Sequence, residues 1–171
     1  WLLYLFPKAW AYSLFFFLHY LFAFLLTYTG LRMVKIKPCV ACTGAVLFGL
    51  SGLIQGKFIN PVILIAIVYM PFLLALALRA SRPLRKDWTC YMLPFLLGAM
   101  INVGNMHTIF YAYFMVGLIF FGRLLQYLSC KKTFFRLSIR FSGIFLLSFL
   151  IGSPTLVALP AMLPHTLRAG V

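Results

Sequence analysis

The chain has 171 residues, of which 64% are hydrophobic and only 9% charged, with a formal net charge of +14 and a mean hydropathy of +1.05. Soluble domains carry about 25% charged residues, so this composition excludes an ordinary cytosolic globule, a disordered tail and a disulfide-rich secreted module. It describes an integral membrane protein, and its 1 acidic residue, Asp87, excludes self-contained carboxylate chemistry, which general acid–base catalysis and hard-metal binding rely on.

A bilayer core takes about 20 apolar residues per helix. In chain order the hydropathy predicts six membrane helices, at Ala11–Thr29, Val40–Ile54, Pro61–Leu78, Trp88–Val103, Thr108–Leu128 and Phe141–Leu159. The second and fourth are short for a full crossing. The expected fold class is therefore an all-α integral membrane protein, a polytopic bundle forming one transmembrane helical domain over residues 1–171. The chain opens at Trp1, already inside an apolar run, as expected of a fragment of a longer membrane protein, and no signal-peptide pattern is visible.

The basic residues sort by loop. Arg32, Lys35 and Lys37 follow the first predicted span, Arg79, Arg82, Arg85 and Lys86 follow the third, and Arg123, Lys131, Lys132, Arg136 and Arg140 surround the connection from fifth to sixth. Only Lys8, Lys57 and Arg168 fall on the other side. The positive-inside rule makes the odd-to-even loops cytoplasmic and puts both termini outside. A pI near 10.1 is thus topology rather than a nucleic-acid footprint. The lipid bilayer is the expected partner, with neither nucleic acid nor a soluble protein partner.

That orientation gathers the uncharged polar residues on the outer face: Ser51, Gln55 and Asn60 near the second and third spans, and Asn102, Asn105, His107 and Thr108 between the fourth and fifth. Backbone from Gly104 to Thr108 is expected to be non-helical and lined by water or protein. Pro71, Pro94 and Pro154 fall inside spans. Gly44, Gly49, Gly52, Gly98 and Gly152 permit close approach, and Ala45 with Gly49, and Ser148 with Gly152, have small-xxx-small spacing. Ordinary bundle packing accounts for these. The 19 Phe follow no repeat and read as lipid-facing surface.

Other constellations carry less. Cys39 and Cys42 (C-V-A-C), Cys90 and Cys130 fall at the cytoplasmic ends, where thiols stay reduced, and read as small apolar filler rather than a zinc site. Of His19, His107 and His165, only His19 lies well inside a span and none pairs with it in depth, so it reads as hydrogen-bonded to a neighbouring helix rather than as a haem ligand. Arg136 and Arg140 resemble the arginine helix of a rotary ATP synthase's proton channel. They stand at the positive edge of the last span, however, and read as a topological anchor. Nucleotide loops, H-E-x-x-H and G-x-S-x-G are absent from the sequence.

Four stretches read together are similar to one family: Phe6–Met33 (FPKAWAYSLFFFLHYLFAFLLTYTGLRM), Gly44–Ala80 (GAVLFGLSGLIQGKFINPVILIAIVYMPFLLALALRA), Gly104–Leu125 (GNMHTIFYAYFMVGLIFFGRLL) and Phe149–Leu163 (FLIGSPTLVALPAML). With Ser51-Gly52, the Gly104-Asn105-Met106-His107 turn and the small-residue run into Pro154 and Pro160, the chain resembles the YfhO family of bacterial multi-pass membrane proteins. These belong with the lipid-sugar-dependent (GT-C type) glycosyltransferases. The resemblance implies residence in the bacterial inner (plasma) membrane and transfer of a sugar from a polyprenyl-phosphate carrier to a cell-envelope acceptor on the outer face. It implies no cofactor in this chain. The family's acidic residue in the first outer loop, as base or metal ligand, would precede Trp1 and leaves a divalent cation to the full-length protein, so the fragment alone is expected to be inactive and its catalytic residue unknown. On this reading Asn102, Asn105, His107 and Gln55 bind sugar hydroxyls or phosphate, and Lys8 and Lys57 offset phosphate charge. The alternative is a non-enzymatic integral membrane subunit of a respiratory or transport complex, whose partners would supply the missing acids.

Overall fold

A computed structural model of the chain describes residues 8–51, 61–82, 88–103 and 106–168. Among these every regular element is helical: α1 (Lys8–Met33), α2 (Pro38–Gly49), α3 (Pro61–Ala80), α4 (Thr89–Val103), α5 (Met106–Gln126) and α6 (Lys131–Arg168). Four of them are long and apolar enough to cross a membrane, whereas α2 and α4 are shorter apolar helices. At 12 and 15 residues they reach about 18 and 22 Å, short of a hydrocarbon core of about 30 Å. Large apolar side chains such as Trp10, Phe110, Leu146 and Leu150 stand exposed on the long helices, as a lipid-facing surface requires. The chain divides into two compact units, Trp1–Ala75 and Leu76–Val171.

In the first unit α1 ends in a Schellman cap. The Ile36 N–H donates to the Leu31 carbonyl at 3.1 Å and the Lys35 N–H to the Arg32 carbonyl at 3.0 Å, the paired bonds that close a helix whose next residue turns left-handed. That residue is Lys35, at φ 72°. The Arg32 guanidinium donates to the Ile36 carbonyl at 2.8 Å and ties down the turn. Lys37 is extended (φ −58°, ψ 144°), as a residue before proline prefers, and Pro38 opens α2, where its missing N–H costs nothing.

α2 folds back on α1, and its buried residues, Ala41, Ala45 and Gly49, recur every four positions and so form one face. Small residues here let backbones approach: a Cβ on Gly44 would stand 2.9 Å from Leu31 Cδ1. α3 runs alongside α1 in the same direction. Ala23 packs with Leu64 and Val68, and a Cβ on Gly30 would lie 3.2 Å from the Pro71 carbonyl oxygen and 3.3 Å from Ala75 Cβ, so rising numbers on one helix meet rising numbers on the other. α2 ends at Gly49, five residues before the expected Ile54, with Leu50 as its cap.

The second unit uses a similar plan. α4 and α6 run parallel: Gly98 lies against Ser148 and Ile151, and Gly152 against Ile101, with a Cβ on either glycine only 2.6 Å from its nearest neighbour. α5 runs antiparallel to α6, since Tyr113 meets Ser148 while Phe120 stacks on Phe141 at 5.1 Å. α6 departs from expectation. It begins at Lys131, ten residues before the predicted span, and continues through Pro154 and Pro160 for 38 residues. The Cys130 carbonyl accepts from the Thr133 and Phe134 N–H groups and starts the helix directly after α5, so the basic stretch read as a loop is helical. Met106–Thr108, expected to be non-helical, form the first turn of α5.

Candidate functional site

The second unit has two chemically different ends. The parallel register of α4 and α6 and the antiparallel return of α5 bring the start of α6 to the end of α5 and the start of α4. Arg79, Arg82, Arg123, Lys131, Lys132, Arg136 and Arg140 therefore share one end. At that end the Arg140 guanidinium donates to the Ala80 carbonyl at 3.0 Å and to the Arg82 carbonyl at 2.8 Å. These belong to the last turn of α3 and its exit, where carbonyls have no intrahelical donor, and a cation there also meets the negative end of the helix dipole. Arg140 does more than mark topology: it closes a helix.

The opposite end holds Asn102, Thr155 and His107. Asn102 stands on the last turn of α4, and its side-chain oxygen accepts from the Thr155 hydroxyl at 2.6 Å. His107 lies in the first turn of α5 and is exposed. Thr108 beside it is buried. With the Asn102 oxygen engaged by Thr155, its amide NH2 group and the His107 imidazole are what this end offers to hydroxyl or phosphate oxygens, and Arg168, the last residue of α6, is the one cation on this side among the described residues of the second unit. Thr155 is the member that sequence reasoning missed. Its only signal was its place after Pro154, four residues from the parallel register partner of Gly98.

The remaining predicted site residues are not brought to this cluster by anything described. Lys8 is the first residue of α1, in the first unit. Gln55, Lys57 and Asn105 lie outside the described residues, as do Gly52 and Asn60. Ser51, one residue beyond the α2 cap, has a buried hydroxyl with no hydrogen-bond partner among the described residues.

Between the two ends, α5 and α6 are clasped by a polar pair inside an aromatic layer. The Tyr113 hydroxyl donates to Ser148 Oγ at 2.8 Å, and Ser148 Oγ donates to the Phe145 carbonyl at 2.8 Å. Tyr113 also packs on Phe145 and Phe149, each with ring centroids 5.3 Å apart. Such a bond satisfies polar atoms that a bilayer would leave without water. This is packing, not a reaction centre. His19 likewise serves its own helix: Nδ1 lies 2.7 Å from the Phe15 carbonyl, and the ring lies tilted against Phe15 with centroids 4.0 Å apart. The partner expected on a neighbouring helix is replaced by the turn below.

Among the described residues no three of His, Cys, Asp and Glu gather to hold a metal ion, and the four cysteines are free thiols, three of them exposed. Among the described residues the fold is all-helical, with four helices long and apolar enough to cross a membrane and, in the second unit, a strongly cationic end opposite a weakly charged polar one. No family model, curated protein or solved structure matches the chain.

Proposed function

We propose that the chain forms part of a membrane glycosyltransferase that moves a sugar from a polyprenyl-phosphate carrier to a cell-envelope acceptor at the outer face of a bacterial plasma membrane. In this reading all six helices belong to the membrane domain, both termini are extracytoplasmic, and the short α2 and α4 sit where the bilayer is thinned or lined by protein.

The observation that carries the reading is the segregation in the second unit. Seven cations lie at one end, and Asn102, Thr155 and His107 at the other. By the positive-inside rule the cationic end is cytoplasmic, which gives the polar end to the outside. A sugar presents hydroxyls, and its carrier a diphosphate or phosphate, for which amide and imidazole donors are suitable partners. The pattern similarity to YfhO-type sequences supports the reaction class, and the polar end of the second unit supports an outer-face location for it.

The test is photolabelling of the chain, reconstituted in vesicles, with a photoreactive polyprenyl-phosphate sugar. Labelling that is displaced by unmodified polyprenyl phosphate and reduced several-fold by Asn102→Ala and His107→Ala supports the reading. Labelling indifferent to competitor and to both variants overturns it. In that case, stable co-purification with a fixed set of other membrane chains assigns the protein to the non-enzymatic subunit class.

A further inference from the structure

α6 is too long for the bilayer. Its 38 residues extend about 57 Å against a hydrocarbon core of about 30 Å, so a large part of it lies outside the apolar layer. Charged residues are expelled first, and Lys131, Lys132, Arg136 and Arg140 all fall in its first ten positions. This segment therefore lies at head-group level, continuous with the spanning part.

At 100° per residue, Lys131, Phe135, Ile139, Lys132 and Arg136 fall within an arc of about 140°. All five are exposed, Phe135 by 68% and Ile139 by 58%, while Leu137 on the opposite side is fully buried. Cations and large apolar side chains thus share one outward face. Arg140, just beside that arc, is held on the Ala80 and Arg82 carbonyls, which fixes the segment against the end of α3. Arg123, at the end of α5, donates to Gln126 at 2.9 Å, so it too is oriented within this end of the unit.

The chain cannot neutralise this face itself. Its only acidic residue is Asp87, against 15 Lys and Arg. An anion that pairs with this face comes from beyond these 171 residues, and it must suit a face that also presents Phe135 and Ile139 at interfacial depth. We infer that the first three turns of α6 form a binding face for anionic phospholipid, with Lys131, Lys132 and Arg136 on the head-group phosphates and Phe135 and Ile139 among the upper acyl carbons. This goes beyond the transferase reading and is independent of it, since it concerns the cationic end rather than the polar one.

The test compares spin-labelled phosphatidylglycerol with spin-labelled phosphatidylcholine around the full chain in vesicles. The native protein is expected to hold the anionic lipid several-fold more strongly. Lys131→Gln/Lys132→Gln/Arg136→Gln should lower that preference by about fivefold or more, taking the usual contribution of a basic residue near an anionic surface. Lys131→Arg/Lys132→Arg/Arg136→Lys should keep it. Should the glutamine variant fail to fold, raising the salt from 0.05 M to 0.5 M around the native chain gives the second reading, because screening must erase the preference. Equal retention of both lipids by the native protein, a preference that survives in the folded glutamine variant, or one insensitive to salt overturns the inference. Capture of an acidic protein by this face with both lipids held equally also overturns it.

Discussion

Arg140 and Ala80, sixty positions apart, are joined by a 3.0 Å hydrogen bond from guanidinium to carbonyl. A second bond reaches the Arg82 carbonyl at 2.8 Å. One cation thereby satisfies two acceptors that the end of α3 leaves open. Hydrogen bonds to a charged group contribute about 1.5–3 kcal/mol when buried, and partial exposure reduces this. Arg140→Gln should destabilise the second unit by about 1–2 kcal/mol, and Arg140→Lys by less, since a lysine keeps the charge but loses the planar fork. Thermal unfolding in detergent, followed by circular dichroism, checks the order native, Lys, Gln.

The glycines offer a matched pair of tests. A Cβ at Gly98 would lie 2.6 Å from Ile151 Cβ and 2.8 Å from the Ser148 carbonyl, and one at Gly152 would lie 2.6 Å from Ile101 Cδ1. Backbone and branched side chains cannot yield cheaply at these distances, so Gly98→Ala and Gly152→Ala should each cost about 1–3 kcal/mol as α4 and α6 separate. Gly117, Gly122 and Gly143 would meet nothing within 4 Å. Alanine there should be neutral or stabilise by about 0.5–1 kcal/mol through helix propensity. Equal effects in both groups would remove close α4–α6 packing as the cause.

How much of this was legible follows from what each feature depends on. Membrane helices are set by local hydropathy, so the six apolar stretches mark all six helices to within a few residues at most ends. The start of α6 was misplaced because Lys131, Lys132 and Arg136 are poor bilayer residues yet good helix formers, and hydropathy measures only the first property. Pro154 reads as a breaker, but α6 continues through it and through Pro160, as membrane helices tolerate when neighbours satisfy the freed carbonyls. Pair relationships were hidden. Nothing in a single sequence says that Gly98 meets Ile151 or that Arg140 meets Ala80, because the parallel register of α4 and α6 is a property of the packed unit. For the same reason Asn102 was visible as a polar outer residue while its partner Thr155 was not.

Lys35 is an L-residue in left-handed conformation, φ 72°, at a position where helices most often place glycine. Lys35→Gly should therefore stabilise the α1–α2 turn by about 1 kcal/mol, and Lys35→Val should destabilise it by more, because a branched Cβ is least compatible with positive φ. Unfolding midpoints of the two variants, read against the native chain, should move in opposite directions.

The cysteines report topology without engineering. Cys39 and Cys42 are exposed in the first turns of α2 and Cys130 is exposed at the start of α6, whereas Cys90 is half-buried. If the basic ends face the cytoplasm, a membrane-impermeant maleimide should label Cys39, Cys42 and Cys130 in inverted vesicles and leave them unmodified in intact cells, with Cys90 reacting more slowly. Labelling from the outside would reverse the orientation and, with it, the side assigned to Asn102 and His107.

Asn102 and Thr155 separate structure from ligand binding. Their 2.6 Å bond joins the polar ends of α4 and α6, and interhelical bonds of this kind contribute about 0.6 kcal/mol. Asn102→Ala and Thr155→Val each remove it, so both should lower stability by a similar small amount, and the double variant should cost little more than either. Binding should behave differently. Thr155→Val leaves the Asn102 amide in place, whereas Asn102→Ala removes the only amide donor described at this end. If that donor holds the sugar-phosphate carrier, photolabelling should fall several-fold in Asn102→Ala and remain near native in Thr155→Val. Equal loss in both variants would make Asn102 a packing residue, and His107 alone would then carry the assignment of this end as the binding site.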